Sequence, residues 1–195
     1  MSSASAYEMN ALRFLEARES SRTGAAIVAQ WARQLRAGTD VVEIACGGGY
    51  PVTQVLVESG ANVWAIDASP TLLERFRLRF PSVPAQCSLA LESDYFGRKF
   101  GAAIAIGLLF LLEESEQVAL LHRVSEILLP EGRFLFTAPI ETGTWRDTAT
   151  GHECRSLGRA QYVQILESAG FCVIGTHVDE GKNNHYDVQK VLRAP

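Results

Sequence analysis

Apolar positions at the start of the chain recur at helical spacing, and from Val41 onward they give way to short β-branched runs alternating with longer amphipathic stretches. Between Ser5 and Arg36, Met9, Leu12, Phe14 and Leu15 and then Ile27, Val28, Trp31 and Leu35 mark two helices, with a break from Ser20-Ser21 through Gly24. Beyond them the pattern predicts strands at Val41–Ala45, Asn62–Ile66, Val83–Cys87, Ala102–Ile106, Arg133–Ala138, Phe171–Val178 and Tyr186–Leu192. Helices fill the gaps at Val52–Ser59, Pro70–Phe80, Glu113–Leu128 and Leu157–Ala169, with a short one near Glu92. Ser69-Pro70 supplies a cap and a first-turn proline, and Ser59-Gly60 and Ala169-Gly170 read as helix stops.

Such alternation predicts an α/β fold: a doubly wound, mostly parallel seven-stranded sheet. Only a polar loop, Asp179 to Asn184, separates the last two strands, so they form an antiparallel hairpin at the sheet edge. No Pro/Gly/Ser-rich linker or repeat divides the chain, which reads as one domain over 1–195, with a helical cap at 1–39 and the sheet core at 40–195.

Composition narrows the function. Eighteen Lys plus Arg against 22 Asp plus Glu give a net charge of −4, which argues against a nucleic-acid partner because phosphate affinity comes from basic side chains. With 47% hydrophobic and 21% charged residues the chain forms a core rather than a disordered segment. Cys46, Cys87, Cys154 and Cys172 form no C-x-x-C pair, which speaks against a metal site and for free thiols in a reducing compartment. The apolar stretch Ala102–Leu112 is too short for a membrane span, and the first residues lack a basic, then apolar, secretory pattern. The expectation is a cytoplasmic protein that is a monomer or homodimer and does not engage a membrane.

The chemistry-bearing stretch is Glu43-Ile44-Ala45-Cys46-Gly47-Gly48-Gly49-Tyr50-Pro51-Val52, where a buried strand ends in glycines and opens a helix. Glycines permit positive φ and close ligand approach, and the helix start offers free N–H donors. A dinucleotide fingerprint needs glycine where Val52 stands, and a phosphate loop needs a Lys followed by Ser or Thr. The stretch instead resembles motif I of the class I, Rossmann-like methyltransferases that use S-adenosylmethionine, through Glu43, Ala45, Cys46, Gly47 and Gly49. Asp67, at the tip of the next strand, is similar to the family's motif II acid, and Leu129-Pro130-Glu131-Gly132 to the turn feeding its fifth strand.

The resemblance implies that Glu43 orients the loop and the methionine amino group, while Gly47 and Gly49 make room for the cofactor beside Ala45 and Cys46. Asp67 would hold the ribose with Ala68 and Ser69 beside it, Ser88 and Leu89 would face the adenine, and Ile106 would lie near the reacting methyl. Two departures stand out. Ser88 occupies the place of an adenine-binding acid, for which Glu92 or Asp94 would have to reach back, and Gly101 replaces an acid before the fourth strand.

The implied activity is methyl transfer to a small-molecule acceptor attacking through O, N, S or C. The motif of amino-methylating nucleic-acid enzymes is absent after strand four, which continues Gly107-Leu108-Leu109-Phe110. Phe110 and Trp145 are the expected pocket walls, Ile140 to Ser156 a partial lid, and His185 the candidate general base and pocket residue. The rival readings are a degenerate cofactor-binding regulatory or partner protein, motivated by Ser88 and Gly101, and a dinucleotide oxidoreductase.

Overall fold

The computed structural model describes residues 2–148 and 150–192, so residues 1, 149 and 193–195 of the expected domain lie outside the described residues. Three helices open it, α1 (Ser3–Met9), α2 (Ala11–Glu19) and α3 (Ala25–Ala32), where the periodicity had predicted two. Asn10 makes the extra break: its side-chain amide donates to the Ala6 carbonyl at 2.8 Å, and its φ of −110° takes the chain out of the helix.

The core then alternates as β1 (Asp40–Ile44), α4 (Val52–Glu58), β2 (Asn62–Asp67), α5 (Pro70–Arg79), β3 (Ala85–Cys87), β4 (Phe100–Ala105), α6 (Glu114–Ile127) and β5 (Leu128–Thr137). A ribbon of β6 (Gly143–Arg146) and β7 (Glu153–Ser156) follows, then α7 (Arg159–Ser168), β8 (Phe171–Val178) and β9 (Asn184–Lys190). The main sheet runs β3-β2-β1-β4-β5-β9-β8, with β9 antiparallel to both β5 and β8 and the remaining pairs parallel.

Period-two burial sorts the strand residues between two covered faces. Val41, Ile104 and Leu135 pack under α3 and α4 with Val28, Trp31 and Leu56, while Leu73 and Phe76 of α5 meet Ala65 and Cys46. Their neighbours Val42, Ala103, Phe134 and Phe136 face α6 and α7 and meet Leu121, Tyr162 and Tyr186. Phe136 stacks on Tyr186 at 5.0 Å and on Phe134 at 4.9 Å, locking β9 beside β5. Ser69 caps α5 by accepting from the Leu72 N–H at 3.1 Å, with Pro70 in the first turn and Arg77 and Arg79 in the last.

Two boundaries differ from expectation in ways that matter. The Leu129–Gly132 turn is an excursion within β5: Phe100 pairs with Leu128 and Ala102 with Arg133, with Glu131 at φ +61°. At the other edge, β9 starts at Asn184 rather than Tyr186, which places His185 inside the sheet. There it sits on the α3 face with Asp187, whose carboxylate accepts from Trp31 Nε1 at 3.2 Å and Arg133 Nε at 3.1 Å and pairs with a second nitrogen of the same guanidinium. Among the described residues no helix is long and apolar enough to cross a membrane.

Candidate active site

At the C-terminal tip of β1 the chain turns through Ala45 (φ +61°), Gly47 (φ +56°) and Gly49 (φ +80°) before entering α4. The turn is tight: the Cys46 N–H donates to the Ile66 carbonyl at 3.1 Å and the Gly49 N–H to the Cys46 carbonyl at 2.9 Å. Asp67, at the tip of β2, clamps it, its Oδ2 accepting from the Gly47 N–H at 2.7 Å and its Oδ1 from the Ser69 N–H at 2.8 Å. Burial raises the Asp67 pKa above the usual carboxylate value, and those backbone donors hold it back.

Glu43 is 4% exposed and accepts from Thr53 Oγ1 of α4 at 2.5 Å. Burial pushes its pKa up to about 8, opposed by the Thr53 hydroxyl, reinforced by the Asp67 charge and eased by Arg18. Cys46 is buried and its thiol pushed well up by desolvation, so it is a packing residue and not a ready thiolate.

The glycines serve packing as much as ligand access. A Cβ on Gly48 would lie 2.4 Å from Leu15 Cδ2, so α2 rests directly on the loop. A Cβ on Gly49 would lie 2.4 Å from Phe80 Cε2 and 2.9 Å from Phe76 Cδ2. With its positive φ as well, Gly49→Ala is expected to cost about 2–3 kcal/mol of folding stability, measured by denaturant unfolding; a loss within error of zero would mean the loop shifts freely.

The helical cap is fastened to α5. Glu8 accepts from the hydroxyls of Ser69 and, at 2.6 Å, Thr71, while Glu19 pairs with Arg79 at 3.0 Å and Arg79 donates to the Gly48 carbonyl at 3.2 Å. Between cap and strand tips lies a cavity of about 590 Å³, roofed by Tyr7, Phe14 and Arg18. Glu43, Ala45, Cys46, Gly47, Asp67 and Ala68 line its floor, and Ser88, Leu89 and Glu92 one end. Ile106, Phe110, Thr137, Asp147, His152 and Asp179 line the rest.

Four expected residues lie elsewhere. Gly49 packs against α5, and Ser69 caps that helix. Trp145, on the ribbon, is 37% exposed and backs Phe110, ring centroid to ring centroid 5.6 Å, without lining the cavity. His185 is fully buried behind Asp179, its Nε2 3.0 Å from Asp179 Oδ2, because β9 starts two residues earlier than expected. Burial holds its pKa down, against the pull of the Asp179 carboxylate, so it is a neutral support for Asp179 rather than a pocket base. Of the proposed adenine-side acids, Glu92 reaches the cavity, whereas Asp94 caps the turn at Tyr95–Gly97. Gly101 is the second residue of β4, at the opposite end of the strand from the cavity, where a Cβ would meet Thr39 Cγ2 at 2.8 Å. The missing acid there reflects packing, not a gap in the site.

Sequence reasoning did not single out Arg18, Thr53 or Asp179 for the site. Nothing in the sequence separates Arg18 from Arg13 on the same helix.

Residues 41–132 match the family model described as "Methyltransferase domain". That stretch is similar to a methyltransferase domain. An uncharacterised methyltransferase of Synechocystis sp. is 25% identical over 156 residues, 74% of this chain and 72% of the relative. Among solved structures, 1,6-didemethyltoxoflavin-N1-methyltransferase of Burkholderia thailandensis superposes with a TM-score of 0.74 at 17% identity, over 93% of this chain and 87% of that one. Magnesium protoporphyrin IX methyltransferase of Synechocystis superposes with a TM-score of 0.69 at 15% identity, over 85% of this chain and 77% of that one. At those identities the likeness establishes the fold alone.

Proposed function

We propose that the protein transfers a methyl group from S-adenosylmethionine to a small-molecule acceptor. The observation that carries this reading is the convergence of Glu43, the glycine turn and Asp67 on one roofed cavity. The residues fit that cofactor by their chemistry. Glu43 is a buried acid suited to an ammonium group, Asp67 an acid suited to vicinal hydroxyls, Arg18 a cation suited to a carboxylate, and Leu89 to Leu91 an apolar edge suited to a purine. The two solved neighbours named above are held with S-adenosylhomocysteine and S-adenosylmethionine respectively, which supports the same reading.

S-adenosylmethionine supplies an activated methyl on its sulfonium, so the protein's task is orientation in a dry site. Gly47 and Asp67 would set the floor, Ser88 and Leu89 the adenine end, and Ile106 the approach to the methyl. Tyr7, Phe14 and Arg18 would close the roof against water, and the ribbon from Gly143 to Ser156 would flank the acceptor. A cytoplasmic monomer or homodimer acting on a partly apolar small molecule fits this arrangement and the acidic charge balance.

Calorimetric titration with S-adenosylhomocysteine tests the reading; absence of binding at millimolar ligand would sink it. Glu43 gives the test a pH signature. A carboxyl held near 8 in the free protein is protonated at pH 6–7 and must ionise to pair with an ammonium, so binding there releases a proton. Affinity is therefore expected to rise with pH up to about 8. Glu43→Gln should abolish the release, read as heats measured in buffers of different ionisation enthalpy. Without ligand the sign reverses for folding: the raised carboxyl stabilises the folded state below its unfolded pKa of 4.5, and that contribution is lost as pH rises toward 8.

A further inference from the structure

We propose that the acceptor end of this cavity receives a protonated amine and that His152 takes its proton; the proposal rests on the methyl-transfer reading above. His152 sits at the foot of the β6–β7 ribbon and lines the cavity. Its Nε2 lies 3.1 Å from the Leu111 carbonyl oxygen. A carbonyl only accepts, so in the neutral ring Nε2 carries the hydrogen and Nδ1 keeps its lone pair. Nδ1 has no hydrogen-bond partner among the described residues. The ribbon holds the ring's backbone from behind: the Asp147 N–H donates to the His152 carbonyl at 2.8 Å, and Thr150 Oγ1 accepts from the His152 N–H at 3.2 Å.

What surrounds the imidazole selects a cation. Asp147 and Asp179 line the same cavity. Asp147 uses only Oδ2 on Thr150, leaving Oδ1 without a partner among the described residues. Although burial pushes Asp179 up, hydrogen bonds from His185 and Asn183 outweigh it and keep its carboxyl below the ordinary value, hence charged. Tyr7 and Phe110 add aromatic faces, whose π-clouds attract ammonium groups. Among the described residues Arg18 is the one Lys or Arg lining the cavity, and its charge faces those of Asp179 and Glu43.

An ammonium has no lone pair to offer, so it must lose a proton before it can attack. One N–H bond breaks and one Nδ1–H bond forms; the amine nitrogen keeps the electron pair, and the positive charge moves to the ring beside Asp147. Among the titratable groups that share the cavity with the imidazole are Tyr7 on α1, Asp147 on the ribbon, Asp179 and, at the start of α6, Glu113 and Glu116, while the Cys154 thiol donates to the His152 carbonyl at 3.8 Å.

The test uses benzylamine, benzyl alcohol and benzoate as size-matched probes on the protein loaded with S-adenosylhomocysteine, with affinities from ligand-observed NMR. Benzylamine is expected to bind at least about tenfold more tightly than either. With S-adenosylmethionine, wild-type protein should yield N-methylbenzylamine. His152→Gln should slow that step about 100-fold or more while leaving benzylamine and S-adenosylhomocysteine affinities essentially unchanged, and should flatten the acid limb of the pH profile. Equal or tighter binding of the alcohol or benzoate, no binding of any probe, no methylated amine from wild type, or an unslowed variant would each overturn the proposal. Failure of S-adenosylhomocysteine itself to bind would strike the methyl-transfer reading instead, so the two failures are distinct.

Discussion

Asp187→Ala is expected to cost about 3–5 kcal/mol of folding stability. Asp187 is 3% exposed and satisfies three donors at once: Trp31 Nε1 from α3 and two nitrogens of Arg133 from β5. Removing the carboxylate strands a guanidinium that is itself only 16% exposed and an indole N–H that is buried, and an uncompensated buried charge is what makes broken pairs expensive. Denaturant unfolding of the variant measures the loss. Because α3 packs over the sheet and follows directly on the cavity-lining residue Thr23, affinity for S-adenosylhomocysteine should fall as well. A variant within about 1 kcal/mol of wild type would mean that Gln34, already 3.3 Å from Arg133, and solvent replace the carboxylate fully.

Asp67→Ala should affect both stability and ligand affinity, by separable amounts. The carboxylate accepts two buried backbone donors, from Gly47 and Ser69, and losing it leaves both unsatisfied, a stability cost of about 2–4 kcal/mol. A ligand hydroxyl lost from the same acid would weaken S-adenosylhomocysteine binding by a further 1.5–3 kcal/mol or about. Asp67→Asn keeps an oxygen for one donor but places an amide against the other, so it should fall between wild type and alanine in stability. Calorimetry on the folded variants, at a temperature well below their unfolding, separates the effects. Unchanged affinity with reduced stability would make Asp67 a clamp for the turn and no more.

The parts of this molecule legible in its sequence are those where local chemistry and sheet periodicity coincide. Glu43, the glycine run and Asp67 fall at strand tips that the β-branched runs mark plainly, and the parallel order follows from the alternation with helices. The β6–β7 ribbon lies within Ile140 to Ser156, whose length suggests a partial lid, and its strands escape the sequence pattern because Gly143–Arg146 and Glu153–Ser156 span four residues each and the first is exposed throughout. His185 shows what a small boundary error does in a strand. Starting β9 at Tyr186 leaves His185 in a loop, free to reach a ligand; starting it at Asn184 makes it an inward-facing sheet residue paired with Thr137. His152 and His185 look alike in sequence, both among polar residues, and only the pairing of β9 with β5 decides which imidazole meets the cavity. Arg18 was hidden for a different reason: its role depends on α2 lying across the glycine turn, a contact set by Gly48 and Leu15 that periodicity cannot express.

The fastening of the cap to α5 also bears on how the protein is made. Glu8 meets its partners Ser69 and Thr71 across 61 and 63 positions of sequence, and Glu19 meets Arg79 across 60. During synthesis, then, α1 and α2 emerge well before the helix that holds them, with Leu15 and Phe14 lacking the surface they cover. The roof closes only when α5 arrives, and α5 docks against the same β1–β2 pair that carries the glycine turn. Cap closure and completion of the glycine-turn floor therefore belong to a single event that waits for α5 on the nascent chain.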